Sequence, residues 1–86
     1  MPEISRFFGI IISMYFNDHD PPHFHVRYGE HRATMQIDPL QILRGELPSR
    51  VQALVTGWAH MHASELRENW TRLRAEGTFL PIAPLT

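Results

Sequence analysis

From Phe7 to Phe16 the chain is almost wholly Ile, Phe, Met and Tyr, broken only by Gly9 and Ser13. Such β-branched and aromatic density predicts a strand. Alternation would put Ile10, Ile12, Met14 and Phe16 on one face and Ile11, Ser13 and Tyr15 on the other. Asn17 to Pro22 reads as a loop, because Asn, Asp and Pro each interrupt strands. His23 to Tyr28 then alternates cleanly, with Phe24, Val26 and Tyr28 against His23, His25 and Arg27. Gly29-Glu30 marks a hairpin turn. His31 to Ile37 continues with Ala33, Met35 and Ile37 against Arg32, Thr34 and Gln36. Asp38-Pro39 is a turn, and Gln41 to Arg44 forms a short fourth strand closed by Gly45.

The period then changes. Pro48 suits the first turn of a helix, and the helical pattern runs to Ala75, with Gly77 as a C-terminal stop. A helix of that length would be about 42 Å long, and Gly57 lies within it. A kink or break is expected near His60 to Ser64. Val51, Leu54, Val55, Trp58, Leu66 and Leu73 form the apolar stripe. Trp58 and Trp70 read as core anchors. Phe79 to Leu85 reads as an extended tail that covers a sheet edge. The expected fold is α+β: an antiparallel sheet of three to four strands with one long, kinked C-terminal helix packed on one face, residues 1–86 forming a single domain.

Three polar residues break the helical stripe. His62, Glu65 and Asn69 sit near its middle, three and four residues apart. A buried polar group without a partner costs about 1–3 kcal/mol, so this trio needs partners. Either it forms a private structural network, or it faces a cleft and meets the loop before His23.

Composition narrows the function classes. There are no cysteines, which removes disulfides, thiolate metal sites and cysteine nucleophiles. The formal net charge is −1, which gives no sign of general nucleic-acid affinity. The longest apolar run falls far short of the ~20 residues of a membrane helix. The N-terminus lacks a secretory layout, so the expected location is the cytoplasm. A domain of this size has a thin core, which makes a homo-oligomer or a bound partner attractive.

Six residues are histidines, and His19, His23 and His25 share one short stretch with Asp18 and Asp20. Three chemistries stand open. His19, His23 and His25 could hold a divalent metal such as zinc, with Asp18 or Asp20 replacing or orienting a ligand. Alternatively, histidine pairs could run metal-free acid–base catalysis on a phosphodiester, with Arg27 stabilising the phosphate. In the third reading, these side chains are the wet face of a one-sided sheet. Because the helix should cover Phe24 and Val26, a His19–His62–Glu65 group at the sheet edge is favoured over convergence of all the histidines.

The chain resembles a family of small bacterial proteins known as domain-of-unknown-function family 4160. The resemblance rests on Pro2 to Ile10, on Met14 to Val26, and on Trp58-Ala59, His62, Glu65-Leu66 and Asn69-Trp70; Ser13 and Gly57 depart from the commoner choices. The family has no established activity. The resemblance implies a two-gene module of toxin–antitoxin type, with a cognate small protein encoded nearby. Two functions are therefore carried forward. One is a toxin-like component whose site uses His19, His23, His25, His62 and Glu65 on RNA, with Asp18, Asp20, Arg27 and Asn69 around it. The other is a non-catalytic protein–protein interaction module whose histidines are structural.

Overall fold

In the computed structural model, which describes residues 2–86, five strands are followed by two helices. The strands are β1 (Glu3–Phe7), β2 (Ile10–Ser13), β3 (His23–Tyr28), β4 (His31–Gln36) and β5 (Gln41–Gly45). They form one antiparallel sheet in chain order, each strand paired with the next. The helices are α1 (Ser49–Met61) and α2 (Ala63–Glu76). The α+β class holds. The sheet has five strands rather than three or four, and two helices stand where one was expected.

The extra strand comes from the Phe7–Phe16 run, which is a hairpin and not one strand. Phe8 (φ 50°) and Gly9 (φ 78°) connect β1 to β2, with Phe7 opposite Ile10. Two consecutive positive φ values match the twist of the flanking strands. Phe8 is not a residue that advertises such a turn, so its pattern reads as continuous strand. Alternation holds for Ile10, Ile12 and Met14, all fully buried. It ends before Phe16, which is exposed because β2 stops at Ser13.

A continuous helix over this span would be about 42 Å long, while the molecule is 34 Å in its longest dimension. The break falls at His62 (φ −118°, ψ 23°). Its N–H is shared between the carbonyls of Trp58 (3.1 Å) and Ala59 (3.3 Å), and its own carbonyl accepts from Leu66 N–H (2.9 Å). Glu65 in the first turn of α2 faces the positive end of the helix dipole. Gly77, at φ 74°, ends α2.

Both helices lie on the Phe24 side of the sheet. Trp58 is fully buried, with its ring 5.3 Å from Phe7 and 6.3 Å from Phe24. Its indole N–H donates to the carbonyl of Ala83 at 2.9 Å. Ile82 N–H donates to the carbonyl of Ile4 at 2.8 Å, so the tail covers the outer edge of β1. The opposite edge, β5, is largely exposed. Among the described residues no helix is long and apolar enough to cross a membrane.

Candidate metal centre

The alternation of β3 drives Phe24 and Val26 into the core and turns His23 and His25 to the other face. The loop before β3 is anchored at both ends. Met14 N–H donates to the carbonyl of Pro2, and Ile37 N–H to that of Pro22, each at 3.1 Å. Arg74 of α2 pairs with Asp20 at 3.2 Å and lies over the ring of Trp70. The loop folds back so that Asp18 reaches the start of β3.

One oxygen, Asp18 Oδ2, lies 3.1 Å from His23 Nε2 and 2.9 Å from His25 Nε2. His23 is buried, and His25 and Asp18 are half-buried. The His23 ring is packed between His25 (5.2 Å between centroids) and Trp70 (5.1 Å), and Tyr15 meets His25 edge-on at 4.7 Å. Trp70 thus reaches round the end of the sheet and supports the site from the helical side.

The hydrogen bonds of His23 are the decisive detail. Its Nδ1 is 2.7 Å from the carbonyl oxygen of Pro21. A carbonyl only accepts, so Nδ1–H must donate. In neutral His23 the Nε2 lone pair then faces the lone pairs of Asp18. That arrangement is repulsive unless His23 carries a second proton or a cation lies between the two. An Nδ1–H bound to a backbone carbonyl is also the usual way a metal-ligating imidazole is held in register. Ligand atoms ~2.1 Å from one ion stand about 3.0–3.4 Å apart, close to the His–Asp separations here. Among the described residues, Asp18, His23 and His25 form the one group of three whose ligand atoms lie within 4.8 Å of one another.

The structure brings together His23, His25 and Asp18, and leaves the other candidates elsewhere. His19 is exposed and lines the same cavity, of about 270 Å³, but stays outside the cluster. Asp20 is bound to Arg74. His62 Nδ1 pairs with Glu65 Oε1 at 2.6 Å, and its ring packs on Trp58. Asn69 is buried and binds the backbone of Leu80 twice, donating to its carbonyl and accepting from its N–H, each at 2.8 Å. The expected His19–His62–Glu65 group is therefore not assembled: His62 is taken up by Glu65, whose side chain is exposed, and His19 stays in the loop. Arg27 lies on the histidine face, opposite Arg32. Tyr15, Trp70 and Arg44 were not singled out as site residues. The strand phase of Tyr15 could have shown it, but Trp70 and Arg44 reach the site only through the tertiary fold.

The profile of a domain of unknown function, DUF4160, matches residues 9–71. The chain belongs to this family. The matched span contains the whole Asp18–His23–His25 cluster and Trp70 beneath it. No curated protein and no solved structure matches the chain significantly.

Proposed function

We propose that this DUF4160 chain is a small metal-dependent hydrolytic protein of the cytoplasm, acting on phosphodiesters, with RNA as the first substrate to test. Asp18, His23 and His25 hold a divalent cation such as zinc, and His19 on the cavity wall is the candidate proton donor. The observation that carries this reading is the double acceptor environment of His23, with Pro21 on one ring nitrogen and Asp18 on the other. Two imidazoles and a carboxylate suit a borderline divalent ion and leave coordination positions for water and substrate. A cation held there would acidify water and polarise a phosphoryl oxygen. In a two-gene module this chain would be the toxin-like component.

Zinc and manganese titrations of wild type, Asp18→Ala and His25→Ala test the centre. One ion per wild-type chain is expected, with affinity at least about 100-fold weaker in each variant. Equal affinity in Asp18→Ala and wild type would reject the centre. Incubation with RNA, and growth of a host expressing wild type or Asp18→Ala, test the hydrolytic and toxin-like parts.

Docking of a cognate protein is a second reading, favoured by the open β5 edge and its half-exposed Leu43 beside the cavity. Light scattering with and without the neighbouring gene product decides it; no change in mass would count against it.

A further inference from the structure

The sheet face that carries His23 and His25 continues away from the helices as an open groove of about 370 Å³. Arg27, Arg32 and Arg44 line it, together with Tyr15, Ser13 and Thr34. The groove shares His25, Thr34 and Arg44 with the cavity around Asp18, so the two form one continuous surface.

The charges on this face are arranged against the ordinary preference. Arg27 and Arg32 are directly opposite one another on β3 and β4, and Arg44 is opposite Thr34 on β5. Like charges directly opposite in an antiparallel pair destabilise the sheet. The chain does pair arginines with carboxylates elsewhere: Arg6 with Glu3, Arg67 with Asp38, Arg72 with Glu68 and Arg74 with Asp20. Among the described residues, Arg27, Arg32 and Arg44 make no such pair. Glu3, on the neighbouring strand β1, is held by Arg6; that hydrogen bond lowers its pKa, and the field of Arg27 adds to the effect. The groove is thus lined by three arginines and no carboxylate, even though the chain's formal charge is −1.

All eight basic residues of the chain are arginines, whose planar fork matches phosphate oxygens in pairs. The three on this face sit on adjacent strands and span about 10 Å. Tyr15, half-buried and braced by His25, offers a ring at the junction of groove and metal centre.

We infer that the open sheet face seats a single-stranded polynucleotide, with Arg27, Arg32 and Arg44 on successive phosphates and Tyr15 stacked under a base. This deepens the proposed function by supplying its substrate class, and it rests on that reading only for the point at which a strand would be cut. An acidic peptide fits less well. It would draw main-chain bonds from the β5 edge, lie beside the arginines and leave Tyr15 unused.

Fluorescence anisotropy with a labelled oligouridylate tests the seat, with the equivalent oligodeoxynucleotide and a polyglutamate peptide as further arms, all in EDTA. The chelator separates the two ideas: a failed metal centre leaves this isotherm intact, and a failed groove leaves zinc binding intact. Wild type should bind the oligonucleotides, with log K falling against log salt at a slope of about −2 for three phosphates. The triple variant Arg27→Ala, Arg32→Ala, Arg44→Ala should bind at least tenfold more weakly with a slope near zero, and Tyr15→Ala about tenfold more weakly. Arg50→Ala on α1 should bind as wild type does, and circular dichroism checks that each variant folds. No oligonucleotide binding, equal binding by a folded triple variant, or preference for polyglutamate would each overturn the inference.

Discussion

At the residue scale, two polar side chains that look alike in the sequence do different work. Asn69 lies within the buried stripe of α2 and binds Leu80 through both its amide atoms. It fastens the tail to the helix. Asn69→Ala should destabilise the fold by about 1–3 kcal/mol, because backbone partners are left unpaired. Asn69→Asp should cost more, since a carboxylate cannot donate to the Leu80 carbonyl. Urea midpoints of the three proteins check the order. His23, by contrast, is satisfied only if something positive shares its Nε2 with Asp18. Zinc at 100 times its dissociation constant should add about 2.7 kcal/mol of stability. For a domain of this size that is roughly 10–20 °C in Tm. Asp18→Ala should show no such shift in a thermal scan with and without zinc.

At the element scale, two backbone positions set the sheet. Gly45 ends β5 at φ 81°, and a Cβ there would lie 2.1 Å from the carbonyl oxygen of Arg32. The strand can approach β4 only because that position has no side chain. Gly45→Ala should therefore cost about 1–3 kcal/mol for the backbone conformation alone, with the collision in addition. It should also disturb Arg44 and the groove, which oligonucleotide anisotropy would detect. Phe8 presents the opposite case. It is an exposed aromatic holding a positive φ in a two-residue turn. Asn tolerates that conformation better, so Phe8→Asn should raise stability by about 1 kcal/mol, read from a chemical denaturation curve.

At the scale of the whole molecule, the tail and the helices protect one side and leave the other open. Ile82 pairs with Ile4, and Ala83 accepts from Trp58, so the last residues close the β1 edge and the core together. Removing residues 79–86 should expose that edge and the Trp58 indole. The expected outcome is self-association, because an unpaired strand edge is a template for another chain; light scattering against the untruncated chain checks it. The open side keeps its histidines and arginines in reach of a ligand. Trp70 connects the two sides, touching His23 from α2 while Arg74 lies over its ring.

Much of this architecture is local in origin and was legible from the residues. Strict alternation over His23–Tyr28 and His31–Gln36 determines which side chains face the core, since a strand has no other way to place them. The same rule puts His23, His25 and Arg27 on one face before any fold is known. Gly77 as a stop and a break near His60–Ser64 follow from helix chemistry and helix length. The choice of Asp18 over His19 and Asp20 as the partner of two imidazoles was not local. It depends on a loop tied down by Pro2, Ile37 and Arg74, three points far apart in the chain. The stripe of α1 carries on through His62 into Leu66, Asn69 and Leu73, as the helical period expects, but the partner of Asn69 was decided in three dimensions, because only the fold brings the Leu80 backbone against it. Arg27 and Arg32 meet across the Gly29-Glu30 hairpin and so were within reach of the residues, whereas Arg44 joins them only through the β4–β5 register, which shifts between Thr34 and Met35.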